Sequence, residues 1–370
     1  MVSYRLLIPT LILTIGIVIF ISLMNKPNTN EKRFLIRIDV EAVFCVNGTC
    51  YWPEEGGKYP YNLMEKCLIN RKVPDWSCGL NNFYSEAGFL RGLVNAIQLA
   101  KDENIKISLC MMGDVVSWMN THRSYRISPF PPEFSLKKNG FYTVGDLIED
   151  IRYYWSTGLL ELGLHATRSE DLKYEINKRC GSNFTCAEEY FDWLIKTGIE
   201  DFELTFHRRP DYWHKHLGVG AIELINPNYS CIYLQVLEKR NIPIFNAHFS
   251  FTEEVPISTK SQVVRFRDYS IKEIPIGRVS EPILSEFPHF TTTWDEKTYI
   301  VTTHSWNLDE LPSGYSGCPR CKWKNKIILG NYTKEMEEFI REAKKTRAKF
   351  ITYKELSQES SQISDIMCQK

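Results

Sequence analysis

The sequence predicts an α/β fold built on parallel strands. Short apolar runs of strand character, such as RFLIRID at 33–39 and LLELGLH at 159–165, alternate with stretches of helical spacing, such as TVGDLIEDIRYYWSTG at 143–158. This alternation is typical of βα units, which assemble into an open sheet or a barrel. No internal repeat is visible, and no linker after residue 33 forces a second domain.

The other elements follow in chain order. Helices are predicted where apolar residues recur at helical spacing, and strands where short apolar runs are bounded by turn residues. The predicted helices span 84–104, 143–158, 185–198, 231–241 and 333–347. The predicted strands span 33–39, 105–112, 159–165, 202–208, 242–249, 263–269, 273–276 and 298–306, and a last strand within 349–357 runs into a short turn. A stretch rich in Gly, Pro, Cys and Trp over 45–82 predicts a Cys-rich insertion held by disulfides.

The amino-terminal segment has the properties of a membrane anchor. Residues 6–24, LLIPTLILTIGIVIFISLM, carry no charge, and this length can cross a bilayer core. No cleavage site of small residues follows, which favours an uncleaved signal anchor over a cleaved signal peptide. We therefore expect a tail over 1–5, a transmembrane anchor over 6–24, a linker over 25–32 and a carboxyl-terminal tail over 358–370.

Cysteines and glycosylation motifs predict an oxidising compartment. The close pairs are Cys45/Cys50, Cys67/Cys78, Cys180/Cys186 and Cys318/Cys321. Local pairs beside an export segment predict disulfides. Acceptor motifs for N-glycosylation occur at Asn47, Asn183, Asn228 and Asn331. We expect a single-pass glycoprotein whose main domain is extracellular or lumenal. Because 45 basic and 45 acidic side chains balance, nucleic acid is not an expected partner.

Three predicted strands end in residues that can carry chemistry. The first ends in Asp39 and Glu41, which are two positions apart and therefore share a face. Another ends at His165, and a late one ends at His304. The carboxyl ends of parallel strands are where sites assemble, so these residues predict a hydrolytic or metal site. The structural alternative is strand-end capping or a salt bridge for Asp39 and Glu41, and a purely structural role for His165.

In their order along the chain, these motifs resemble the polysaccharide deacetylase family (carbohydrate esterase family 4, the NodB-homology domain). IRIDVEAV is similar to the first motif of the family, ELGLHATRS to the second, FHRRP to its R-x-P element, and IVTTHSW to the last motif. The resemblance covers residues 33–357 loosely. It implies an irregular (β/α)7 barrel that removes acetyl groups from N-acetylated glycans with zinc or another divalent metal ion.

The resemblance also implies a role for each matching residue. Asp39 would be the general base, oriented by Arg208 through a salt bridge. Glu41 and His165 would be metal ligands, and His304 would be the general acid. Trp306 would stack on a sugar ring, with core packing as its structural alternative. These groups suit the chemistry, because a metal polarises the amide carbonyl while an acid and a base move protons.

One position departs from the family pattern. The second motif of the family is H-x-x-x-H, but the fourth residue after His165 is Ser169. A serine hydroxyl is a poor zinc ligand. Candidates for the remaining protein ligand are Glu170, Asp171, His207 and His214. Three functions therefore stay open: a deacetylase that uses a metal, a metal-independent C–N hydrolase on the same barrel, and an inactive glycan-binding surface protein.

Overall fold

The structure is a computed structural model. It describes residues 32–40, 44–46, 49–51, 89–165, 176, 179–214, 227–242, 244–247, 262–266, 269–275, 298–308, 322–323, 326–327, 333–358 and 362–365. The predicted membrane anchor, the linker up to residue 31 and most of the Cys-rich insertion lie outside these residues. Within the described residues, every helix is too short or too polar to cross a membrane.

Helices and strands alternate through the first two thirds of the fold. The helices are α1 (Phe89–Asp102), α2 (Gly113–Thr121), α3 (Val144–Ser156), α4 (Phe184–Phe206), α5 (Pro227–Lys239), α6 (Thr333–Lys345) and α7 (Tyr353–Ser357). The strands are β1 (Arg33–Val40), β2 (Phe44–Val46), β3 (Thr49–Tyr51), β4 (Ile107–Met111), β5 (Arg126–Ser128), β6 (Tyr142–Thr143), β7 (Leu160–His165), β8 (Tyr212–His214), β9 (Ile244–Ala247), β10 (Gln262–Phe266), β11 (Tyr269–Pro275), β12 (Thr298–His304), β13 (Lys322–Trp323), β14 (Lys326–Ile327), β15 (Lys349–Phe350) and β16 (Gln362–Asp365).

The main sheet is parallel over most of its width. Its strands follow the order β12-β1-β4-β7-β8-β9-β11-β10-β16, and β15 pairs with β1. All neighbours from β12 to β11 run parallel, and β10 and β11 form an antiparallel pair. The strand β1 near the start of the chain therefore lies between β4 and the late strand β12, which brings distant parts of the sequence together.

The sheet is strongly curled. Arg37 lies on β1 and His214 on β8, which is the third strand from β1 in the sheet. In a flat sheet these two strands would be about 14 Å apart. However, Nη1 of Arg37 lies only 3.4 Å from Nδ1 of His214. Asp39 and His214, whose shorter side chains leave the same two strands, also have ligand atoms within 4.8 Å of each other, so the face that carries them is concave. This geometry confirms the predicted mixed α/β, barrel-like architecture at the level of a curled parallel half-barrel.

Both faces of the central strands are buried, as parallel strands require. On β1, Phe34, Ile36 and Ile38 pack into the large core cluster that also contains residues of the helices, while Leu35 points to the concave face. The apolar residues of the concave face form a second cluster: Leu35, Cys110, Tyr212, Ile300, Ile351, Tyr353 and Leu356. Polar side chains are buried on the same face, namely Arg37, Asp39, Ser108, Glu161, His165 and His214.

One predicted strand is wrong. Residues 202–206, expected in a strand over 202–208, are the last turns of α4. Phe202, Leu204 and Phe206 alternate as strand residues do, but Ile199, Phe202 and Phe206 also form a helical stripe, and all three are buried. Leu204 is 60 % exposed, as the helix requires. The helix ends at His207, which adopts a left-handed conformation (φ 57°). The true strand in this region is β8.

A second difference lies near the carboxyl end, where 349–357 is predicted as a strand that runs into a short turn. Only Lys349–Phe350 pair as a strand, and α7 follows. The side chain of Thr352 accepts a hydrogen bond from the backbone N–H of Glu355, and Glu355 reaches back to the N–H of Thr352. This capping box ends the strand and starts the helix.

The predicted pair Cys180/Cys186 is confirmed as a disulfide. Cys180 precedes α4, and Cys186 lies in its first turn. In the hairpin of β2 and β3, the backbone register places Cys45 opposite Cys50. The pairs Cys67/Cys78 and Cys318/Cys321 lie outside the described residues. Cys110 is buried and carries a thiol.

Gly163 of β7 allows a close contact between neighbouring strands. The ring of Tyr212 on β8 lies over this glycine, and a Cβ atom at position 163 would come within 2.5 Å of three ring atoms. Tyr212 is fully buried and cannot move aside into solvent. The sheet therefore needs a residue without a side chain at this position.

The substitution Gly163→Ala should lower the free energy of unfolding by about 1–3 kcal/mol, because it overpacks a filled interior. Chemical denaturation of the wild type and the variant measures this difference. Tyr212→Leu serves as the partner in a double-mutant cycle, since a smaller side chain leaves room for the added methyl group. If Gly163→Ala lowered the free energy of unfolding equally with tyrosine and with leucine at position 212, the contact between Gly163 and Tyr212 would be contradicted.

Glu161 connects β7 to the end of the fold. Its carboxylate accepts hydrogen bonds from Ser108 Oγ at 2.6 Å and from the backbone N–H groups of Tyr353 and Lys354 at 2.8 Å each. The last two belong to the first turn of α7, whose N–H groups lack partners within the helix. Burial nevertheless dominates and raises the pKa of Glu161 from 4.5 to about 7.

This raised pKa predicts a specific dependence of stability on pH. Between pH 4.5 and 7 the folded chain keeps the proton of Glu161 and the unfolded chain loses it. The contribution of Glu161 to the free energy of unfolding therefore falls as the pH rises through this window, by on the order of 1–3 kcal/mol. Denaturation curves at several pH values should show this slope in the wild type.

The slope should be absent in Glu161→Gln, which cannot titrate. Glu149→Gln is the matched control, because the Glu149 side chain is 52 % exposed, and it should leave the pH dependence unchanged. If the free energy of unfolding depended on pH in the same way in the wild type and in Glu161→Gln, the raised pKa of Glu161 would be contradicted.

Candidate active site

The candidate site lies on the concave face, at the carboxyl ends of three parallel strands. Asp39 is the penultimate residue of β1, His165 is the last residue of β7, and His214 is the last residue of β8. The register of β7 and β8 pairs His165 with His214, so the two histidines leave the sheet side by side. The curl of the sheet brings β1 toward them.

These three side chains form a compact, buried group. Each offers one ligand atom, and the three atoms lie within 4.8 Å of one another. All three residues are at most 4 % exposed. The two imidazole rings stack with their centroids 4.5 Å apart. Removal from water strengthens every electrostatic interaction within this group.

An arginine completes the group. Arg37 lies two residues before Asp39 on β1, so both side chains point to the concave face. Its Nη2 donates to Asp39 Oδ2 at 2.8 Å, and its Nη1 lies 3.4 Å from His214 Nδ1. Burial acts to lower the pKa of Arg37, but Asp39 together with Tyr353, Cys110 and Tyr212 outweighs burial and raises this pKa above its ordinary value. The guanidinium is therefore a permanent positive charge.

The group could hold a metal ion. Two imidazoles and one carboxylate are a ligand set that zinc accepts, and three protein ligands leave a position for water or substrate. Asp39 Oδ1 supports the fit, because this oxygen is buried and has no hydrogen-bond donor among the described residues. Because Oδ2 is held by Arg37, Oδ1 is the oxygen that can meet a metal ion or a water molecule.

The structure brings some predicted site residues together and places others elsewhere. Asp39 and His165 meet, whereas Arg208 does not reach Asp39. Arg208 donates to Asp211 at 2.9 Å and lies over the ring of Trp155. The arginine that pairs with Asp39 is Arg37. The sequence element R-x-P follows the end of α4, where its first arginine is exposed.

The remaining predicted site residues are described by their backbone alone or lie outside the described residues. The backbone of His304 pairs with that of Asp39 across β12 and β1, and Trp306 lies in the 3-10 turn Ser305–Leu308. The side chains of these two residues lie outside the described set, as do Glu41, Ser169, Glu170 and Asp171. Of the four candidates for an additional ligand, His214 joins the group and His207 is exposed at the end of α4.

Two comparisons found no match: no protein-family model matches the chain, and no curated protein does. Solved structures show a weak overall similarity. A protein named as a polysaccharide deacetylase from Mycobacterium smegmatis is 12 % identical, with a TM-score of 0.40 and coverage of 88 % of this chain and 94 % of that one. PuuE allantoinase is 11 % identical, with a TM-score of 0.44 and coverage of 90 % and 91 %.

The α-amylase AmyC from Thermotoga maritima is 9 % identical, with a TM-score of 0.47 and coverage of 90 % of this chain and 76 % of that one. All three TM-scores are below 0.5, so these similarities define neither a family nor an activity for the chain. The assignment of function therefore depends on the residues of the site itself.

Proposed function

We propose that the chain is a hydrolase that removes acetyl groups from N-acetylated glycans with the help of a divalent metal ion. The observation that carries the proposal is the buried group of Asp39, His165 and His214, with Asp39 Oδ1 lacking a donor. This group lies at the carboxyl ends of parallel strands, and active sites assemble at such ends. The resemblance of the sequence motifs to polysaccharide deacetylases supplies the substrate class and the irregular (β/α)7 barrel.

In this proposal His165 and His214 hold the ion, and Glu41 adds a carboxylate. A divalent ion there would polarise the amide carbonyl and make water more acidic. Asp39 acts as the general base through Oδ1, while Arg37 holds Oδ2 and so fixes the direction of the carboxylate. His304 donates a proton to the departing amine. Trp306 stacks on a sugar ring beside these groups.

A second function has a specific observation in its favour. Arg37 places a permanent positive charge within hydrogen-bond distance of Asp39 and beside His214. A buried guanidinium can stabilise negative charge that develops on a carbonyl oxygen during attack by water. The alternative is therefore a metal-independent C–N hydrolase on the same barrel, in which Arg37 supplies the charge that a metal ion would otherwise bring.

We also propose that the body lies outside the cytoplasm and is attached to a membrane by residues 6–24. The Cys180–Cys186 disulfide supports an oxidising compartment. The neighbouring Asn183, which begins a glycosylation motif, is exposed. The glycan substrate would then belong to a surface or to secreted material.

The metal site can be tested by elemental analysis of the protein after dialysis against zinc. We expect about one ion per chain in the wild type and loss of the ion in His165→Ala and His214→Ala, since each removes one of the three available ligands. His207→Ala is the matched control, because this histidine is exposed. Equal metal content in His214→Ala and His207→Ala would contradict the assignment of His214 as a ligand.

The role of Asp39 can be separated from metal binding. Asp39→Asn keeps an oxygen that can accept from Arg37 but cannot take a proton. We expect acetate release from N-acetylglucosamine oligomers to fall about 10²–10⁴-fold, with the metal retained. Loss of the metal together with activity would make Asp39 a ligand instead of the base. Unchanged acetate release would remove Asp39 from catalysis, and glycan binding without any release by the wild type would favour the inactive binding protein.

A further inference from the structure

The contact between Arg37 and His214 favours one position for the ring proton of His214. Arginine has five N–H donors and no acceptor. The approach of Nη1 to His214 Nδ1 at 3.4 Å is therefore favourable only if Nδ1 accepts. In a neutral imidazole one nitrogen carries the proton and the other carries the lone pair. A His214 that accepts from Arg37 at Nδ1 therefore has its proton on Nε2.

This arrangement leaves no nitrogen of His214 available to a metal ion. Histidine binds metals as the neutral ring, through the nitrogen that has a lone pair. Ligation through Nε2 needs the proton on Nδ1, where it would face a donor of Arg37. Ligation through Nδ1 needs the lone pair that accepts from Arg37. Either mode requires the contact between Arg37 and His214 to break.

We propose that Arg37 and a metal ion compete for His214, so that Arg37 holds the site in a metal-free form and weakens its affinity for metal. The inference rests on the metal site of the proposed function and adds a residue that controls its occupancy. Arg37 is suited to this task because its guanidinium cannot lose its proton in a protein. The residue is 4 % exposed, so water cannot readily replace it as the partner of His214.

The ion pair of Arg37 with Asp39 makes the competition stronger. The 2.8 Å hydrogen bond to Asp39 Oδ2 anchors the guanidinium beside the three ligand atoms. Its positive charge repels a divalent cation at close range in a buried site. A metal ion must therefore displace a donor from His214 and also tolerate a neighbouring positive charge.

The test uses two substitutions that differ in one property. Arg37→Gln removes the charge and supplies an amide oxygen that can accept from Nδ1–H of His214, which is the usual outer-shell partner of a metal-bound histidine. Arg37→Met removes the charge without supplying an acceptor. Zinc affinity is measured by isothermal titration calorimetry on the metal-free full chain. Arg208→Gln is the control, because it removes an exposed arginine that pairs with Asp211.

We expect Arg37→Gln to bind zinc at least about tenfold more tightly than the wild type, with Arg37→Met in between and Arg208→Gln unchanged. An affinity of Arg37→Gln equal to or weaker than that of the wild type would overturn the proposal. If the wild type binds no zinc and Arg37→Gln does, the competition is supported and the metal-dependent function is contradicted. If neither binds zinc, both proposals fail.

A second measurement covers the case in which the substitutions prevent folding. Nitrogen-15 NMR of the histidine rings in the metal-free wild type distinguishes the two tautomers, and His214→Asn identifies the signals that belong to His214. A proton on Nε2 supports the competition. A proton on Nδ1 overturns it, because Nδ1 could not then accept from Arg37.

Discussion

The buried ion pair between Arg37 and Asp39 is the interaction on which the concave face depends. Two charged side chains on one strand, both at most 4 % exposed, are stable only if each compensates the other. The 2.8 Å hydrogen bond does so, and the curl of the sheet lets the same guanidinium reach β8. The polar interior therefore depends on this pair, because neither charge alone would be tolerated among buried apolar side chains.

The sequence predicted the parts of the fold that have long, unambiguous patterns. The strands around 33–39, 105–112 and 159–165 are rich in apolar residues because both of their faces are buried, and their ends identified Asp39 and His165 as candidate site residues. His214 was only one of several candidates, because β8 has three residues and follows Pro210 too closely for any periodicity to show. Arg37 was missed because its partner on β8 is 177 residues away in sequence.

The site also shows that two histidine ligands can come from positions close together or far apart in the sequence. A motif with two histidines four positions apart supplies both from one segment, and Ser169 breaks that pattern here. The register of β7 and β8 instead pairs His165 with His214, which are 49 positions apart, through adjacent strand ends. Adjacent parallel strands place paired side chains about 5 Å apart, which is a separation that stacked imidazoles accept. Spacing along the sequence is therefore a poor guide to ligands that come from neighbouring strands.

The hydrogen bonds of Glu161 have a consequence for the order of events during synthesis. Two of the donors to this carboxylate, the N–H groups of Tyr353 and Lys354, are 192 and 193 residues downstream. Strand β1 likewise pairs with β12 and β15, which are both made late in the chain. A nascent chain that has emerged only as far as α5 would carry Glu161 and one edge of β1 without these partners. The domain therefore cannot complete its interior until β12 and α7 have left the ribosome, and the incomplete sheet exposes apolar surface and unpaired strand edges until then.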